Sequence, residues 1–163
     1  MDLPSPYTTI MARRAIARRA MSLLELSAVA FIIGLITIMA VTRYGAATIA
    51  DAGADGFARR IALDCLHARR LAIARGDNHL LRFTLDGSTA TEYAVYSRQG
   101  GSATRIDEVH TVPDGVTVTT GGVSDVEFNF TGEALASYSI GVEAPDRTIT
   151  VTVVQVTGQA FVE

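Results

Sequence analysis

The sequence predicts an α+β fold: a long N-terminal helix, transmembrane in its first half, packed on a C-terminal antiparallel β-sheet domain. Three observations carry that prediction. Met21 to Thr42 (MSLLELSAVAFIIGLITIMAVT) is a run of twenty-two residues with a single charge, Glu25. Ala54, Phe57, Ile61, Cys65, Ala68 and Ala72 then recur at three- and four-residue steps, as one stripe of a continuing helix does. From His79 onward, short alternating or β-branched segments are separated by Gly-containing turns.

The elements follow in order. Residues 1–20 end in RRAIARRA, with Arg13, Arg14, Arg18 and Arg19. Met11 offers a second possible start, and the choice leaves everything after residue 20 unchanged. As a helix the apolar run spans roughly 33 Å, enough to cross a bilayer. A secretory signal peptide has a shorter apolar core, about 7–15 residues, followed by a small-x-small cleavage site. A plain signal anchor accounts for the arginines through the positive-inside rule. Neither reading explains Glu25, and an acid inside such a segment is costly enough to imply a function.

ARRA-MSLLELSAVAFIIGLITIMAV resembles the class III leader of type IV pilins and type II secretion pseudopilins. The resemblance implies that a prepilin peptidase cuts between Ala20 and Met21, that Met21 becomes the N-methylated terminus, and that Glu25 is the fifth mature residue. Ala20 stands where the family usually has Gly, with small size kept. The resemblance further implies that a neighbouring subunit's terminal amine pairs with Glu25 and sets register during assembly. Physically, an isolated carboxylate in lipid is penalised by several kcal/mol or neutralised, and a position near its own helix N-terminus favours it. The expected organisation is a leader at 1–20, a transmembrane and assembly helix at 21–42, a continuing amphipathic helix at 43–76 and a periplasmic β-domain at 77–163.

Thr42 to Arg75 contains no proline, and Gly45, Gly53 and Gly56 invite bends or a brief break, each costing up to ~1 kcal/mol relative to Ala. Arg59 and Arg70 point away from the main stripe, with Arg60 and His67 near them. Ala62, Leu66 and Ile73 make a second, narrower apolar line that suits either neighbouring helices or the core. Gly76-Asp77-Asn78 is a helix stop. His79–Thr84 and Thr91–Ser97 flank an Asp86-Gly87 turn as a hairpin, and Gly100-Gly101-Ser102 begins a loop. Further strands are expected at Val116–Thr120, Val126–Thr131, Ser137–Glu143 and Arg147–Val156, with a Thr157-Gly158 turn leading into Gln159–Val162.

LDCLHARRLAIARGDNHLLRFTLDG resembles the minor pseudopilin H group, through Ala68, Arg69, Ala74, Arg75, Gly76, Asp86 and Gly87. The terminal VTVVQVTGQAFV resembles its closing hairpin, with Gly158 at the turn. FimT-like minor pilins share these features. The resemblance implies a minor subunit of a type II secretion pseudopilus. The alternative it leaves open is a type IV pilus minor pilin in assembly or DNA uptake. Implied partners are other pilins or pseudopilins in a filament, the prepilin peptidase, an inner-membrane assembly platform and lipid.

Composition limits the alternatives. All fourteen basic residues are Arg. Loss of residues 1–20 removes four Arg and Asp2, leaving ten Arg against sixteen acids, formally −6. That balance disfavours non-specific nucleic-acid binding. Arg147 is the only Arg in residues 114–163, although Arg98 and Arg105 could form a small patch. Cys65 is the only cysteine, so no internal disulfide forms, and it reads as a buried inert thiol. Catalytic constellations are weak. Cys65 and His67 lie ~200° apart on a helix, His79 and His110 lack ligand spacing, and neither Gly-Gly pair opens a helix. Asn129-Phe130-Thr131 is a sequon by pattern but falls in an expected strand. No enzyme activity, cofactor or metal site is expected.

Overall fold

A computed structural model describes residues 22–163. One helix, α1 (Leu23–Arg75), is followed by nine strands: β1 (Asn78–Asp86), β2 (Thr89–Gln99), β3 (Ser102–Arg105), β4 (His110–Thr111), β5 (Thr117–Thr119), β6 (Asp125–Phe128), β7 (Tyr138–Ala144), β8 (Arg147–Val153) and β9 (Ala160–Val162). The chain divides into two units between Met39 and Ala40, and the second holds the folded core.

In the first unit α1 begins at a cap. Leu24 N donates to Ser22 Oγ at 3.3 Å and Leu26 N to the Ser22 carbonyl at 3.0 Å. Ser27 Oγ and Thr37 Oγ1 donate back to the Leu24 and Ile33 carbonyls. These hydroxyls are satisfied within the helix, as an apolar solvent requires. α1 carries no break at Gly45, Gly53 or Gly56, contrary to the sequence expectation. Glycine weakens a helix without forbidding it, and Gly53 lies against the loop at Pro113 and Val116, where tertiary packing supports the turn.

In the second unit the predicted stripe is the core. Ala54, Phe57, Ile61, Cys65, Ala68 and Ala72 are all buried. They pack on Leu81, Phe83, Tyr93, Val95, Val126, Ile140, Val142, Ile149, Val151 and Val153 from the facing side of the sheet. Small residues on the helix let α1 approach the sheet, while branched and aromatic residues fill the gap from the strands. The second apolar line divides: Ala62 is buried, Leu66 half-buried and Ile73 exposed.

All pairings are antiparallel, in the order β6-β1-β2-β5-β7-β8-β9. The eleven-residue β2 pairs with β1 along one edge and presents the other to three short strands: β3 at Tyr96–Gln99, β4 at Glu92–Tyr93 and β5 at Thr89–Ala90. The β1–β2 turn sets Gly87 at φ +64°, which the first central position of a II′ hairpin demands. β3 and β4 lie where the sequence suggested a loop; they are short and mostly exposed, and their order comes from the β2 edge. The strand expected over Val126–Thr131 ends at Phe128. Asn129 Oδ1 accepts from Thr131 N at 3.0 Å, Thr131 Oγ1 at 2.6 Å and Glu133 N at 2.9 Å. This Asx turn competes with the ladder and bends the chain out of the sheet. The remaining strands occur within a few residues of expectation.

Candidate assembly surface

The predicted processing residues Ala20 and Met21 lie outside the described residues; the predicted assembly residue is Glu25. Glu25 sits in the first turn of α1 and is exposed. Ser22 and Glu25 stand at N-cap and N3, the spacing of a capping box, which places the carboxylate beside the helix's unpaired amides. That Ser-x-x-Glu signal was readable in the sequence but concealed by the stronger hydropathy pattern. Around it, Leu23, Leu24, Leu26, Phe31, Ile32, Ile33, Ile36, Ile38 and Met39 are each more than half exposed. An 18-residue window of α1 reaches a mean hydropathy of 2.4 with none of it buried. A surface this apolar is long enough to cross a membrane.

The β-domain holds two polar clusters, each joining residues far apart in the chain. On the sheet face turned from α1, Arg82 grips Asp125 through Nε at 2.8 Å and Nη2 at 2.7 Å. Arg98 bonds Asp125 at 2.9 Å and Glu127 at 2.5 Å. Asn78 completes Glu127 at 2.9 Å, and the Arg82 guanidinium lies 5.2 Å from the Tyr96 ring centre. The hydrogen bond from Arg82 holds the Asp125 carboxyl below its ordinary range against partial burial, with the charges of Arg82 and Arg98 adding to it. The network staples edge strand β6 to β1 and β2. It also commits Arg98 to carboxylates, so Arg98 and Arg105 do not make a free basic patch.

Between α1 and the sheet, Tyr93 Oη donates to Asp64 at 2.6 Å. The His110 ring lies tilted against the Tyr93 ring at 5.2 Å, its Nε2 3.8 Å from Asp64 and 3.4 Å from Arg60. Burial, and then the bond to Asp64, push the Tyr93 phenol well above its usual range. Burial, and then the neighbouring Asp64 charge, do the same to the Cys65 thiol. Cys65 is therefore buried and unreactive as read, and His67 is exposed, so the two do not meet. Sequence reasoning missed the Asp64–Tyr93–His110 cluster because only the helix–sheet docking brings it together. Among the described residues, no group of three or more His, Cys, Asp or Glu side chains could hold a metal ion.

One residue from each of the two resemblance motifs, Arg69 and Gly158, meets the other near the end of α1. Arg69 Nε donates to the Gly132 carbonyl at 3.0 Å. Gly158, at φ +60°, passes so close that a Cβ there would lie 2.1 Å from the same carbonyl oxygen and 3.1 Å from Arg69. Arg69 and Gly158, far apart in sequence, thus form one clamp.

Two solved proteins share this architecture. The type IV minor pilin FimU of Pseudomonas aeruginosa superposes with a TM-score of 0.56 at 14% identity, covering 67% of this chain and 91% of FimU. A second crystal form of FimU gives the same score over 75% of this chain. The minor pseudopilin EpsH from the Type 2 Secretion System of Vibrio cholerae gives 0.53 at 15% identity, covering 70% of this chain and 95% of EpsH. The fold is pilin-like. No protein-family model and no curated protein matches the chain.

Proposed function

We propose that this chain is a minor pseudopilin, a structural subunit of a type II secretion pseudopilus, without enzymatic activity of its own. One observation carries the reading: a single acid, Glu25, sits four residues after Met21 in an exposed apolar stretch of a helix that continues into a pilin-like domain. In this account the peptidase cuts between Ala20 and Met21. The helix then crosses the bacterial inner membrane once with the β-domain in the periplasm, and Glu25 pairs with the terminal amine of a neighbouring subunit. An assembly platform and its cytoplasmic ATPase supply the motion. In the resembled system the extreme tip subunit lacks this acid, so the chain is placed below the terminal cap. The pseudopilin H motifs support this reading, and the alternative shares them.

That alternative, a type IV minor pilin of FimT type, is supported by the likeness to FimU. The two readings differ in partners. A pseudopilus subunit co-purifies with other minor pseudopilins and has no salt-sensitive DNA affinity. A DNA-uptake pilin shows DNA binding that falls steeply with salt. For either filament, Glu25→Ala is expected to leave membrane insertion intact and to impair incorporation, because it strands the partner amine at a cost of roughly 3–5 kcal/mol. Normal incorporation of that variant contradicts the pairing.

A further inference from the structure

Where α1 ends, its last residue and the β2–β3 hairpin enclose a concavity of about 390 Å³, lined by Arg75, Ser97, Gln99, Ser102, Thr104 and Ile106. Register sets Ser97 opposite Thr104 and Gln99 opposite Ser102. These four polar side chains therefore share the sheet face that carries Tyr93 and Val95 into the core. Ser97 is only 7% exposed, yet among the described residues its hydroxyl has no hydrogen-bond partner. Such a hydroxyl is satisfied by whatever polar atom enters the concavity. Arg75 is exposed, and among the described residues its guanidinium makes neither an ion pair nor a side-chain hydrogen bond. It is the one charged residue of the lining. Two acids stand nearby, but neither pairs with Arg75. Asp77 accepts from Gln99 at 2.7 Å and Asp107 from the Glu108 amide at 2.8 Å.

An open backbone edge runs beside this concavity. Ile106 N donates to the Val95 carbonyl at 2.9 Å, which fixes the phase of the ladder. Ile106, Thr104 and Ser102 thus turn their backbone groups to β2, and Ala103 and Arg105 turn theirs outward. β3 pairs with β2 alone, so among the described residues no strand takes the outward groups. We infer that this edge receives an extended segment of another polypeptide, one of whose acidic side chains enters the concavity and pairs with Arg75. An added strand sets alternate side chains on the face of Ser102 and Thr104, which line the site. The guanidinium fork matches a carboxylate in two parallel hydrogen bonds, and the Ser97, Ser102 and Thr104 hydroxyls are further donors. Asp77 and Asp107 leave Arg75 free but disfavour a second negative charge, so a carboxylate suits the site better than a phosphate dianion. The site lies wholly in the folded unit, and the inference goes beyond the filament reading without depending on it.

The test uses the full-length protein extracted in detergent and a fluorescent five-residue peptide, capped at both ends, with a central glutamate flanked by threonine and valine. Anisotropy is expected to show saturable binding, about tenfold weaker for the glutamine version and weaker also for the phosphoserine version. Arg75→Gln should weaken the glutamate peptide about tenfold and erase its advantage over the glutamine one. Ala103→Pro removes an outward amide without breaking a ladder bond. It should weaken the glutamate peptide and keep that advantage. Unchanged circular dichroism shows that the variants fold. No binding, equal binding of the glutamate and glutamine peptides, or no loss on Arg75→Gln overturns the inference. Tighter binding of the phosphoserine peptide overturns it too, as does acetate competing at the concentration of the peptide, which marks a site for a free acid. Each of these failures leaves the filament reading standing, because the peptidase-dependent N-terminus tests that reading separately.

Discussion

α1 is one helix with two kinds of surface. From Leu23 to Val41 it exposes large aliphatic and aromatic side chains and turns its hydroxyls back on its own carbonyls. From Ala54 to Ala72 it buries a stripe of mostly small residues against the sheet and exposes arginines. The first half is incomplete without surroundings, whereas the second is complete with its own domain. A mutation should therefore report on folding in one half and on membrane or filament in the other.

The sharpest break of that comparison is a matched pair. Ile61→Asp puts a carboxylate where the side chain is fully buried. It should destabilise the β-domain by more than ~4 kcal/mol, enough to abolish a cooperative unfolding transition by circular dichroism. Ile36→Asp, at a 63% exposed position, should leave that transition within about 0.5 kcal/mol. It should instead cost about 2.5–3.5 kcal/mol of membrane insertion, read as release of the protein by carbonate washing. Equal loss of folding from both changes would contradict the division.

Gly158→Ala should come next. The added Cβ meets the Gly132 carbonyl at 2.1 Å, and the backbone is at positive φ. A loss of about 3 kcal/mol is expected in urea unfolding, since both strain and overpacking act there. Gly76→Ala shares the positive φ but meets nothing within 4 Å, so only about 1 kcal/mol is expected.

The β6 staple predicts a smaller, pH-dependent effect. Asp125 has its pKa lowered by folding, so its contribution is present above the unfolded value and lost as pH falls through the folded one. Stability should therefore fall below about pH 4. Asp125→Asn should be less stable at neutral pH and show a shallower acid limb, measured as urea midpoints from pH 7 to pH 3. An unchanged acid limb would remove the staple from the account.

Legibility in the sequence followed the same division of labour. Periodicity of 3.6 exposed the core stripe residue by residue, because α1 packs against a single sheet and needs one face. Alternation did the same for β8. The two-residue β4 and four-residue β3 have no periodic signal, since a neighbour's edge orders them. Asn129-Phe130-Thr131 looked like a strand continuing Val126, yet the Asn129 side chain bonds locally and turns the chain. The Arg82–Asp125 and Asp64–Tyr93 pairs were invisible because each joins elements whose register only the folded sheet sets. Glu25 was the reverse case: conspicuous in sequence as an isolated charge, and local in structure, where Ser22 and the helix start supply its immediate setting.

The most direct test of the account is the N-terminal mass of the membrane-extracted protein from cells with and without prepilin peptidase. The account predicts a species beginning at N-methyl-Met21 only where the peptidase is present, freeing the amine that Glu25 is proposed to meet. An intact leader in both strains would contradict it, leaving a pilin-like domain on an ordinary membrane anchor.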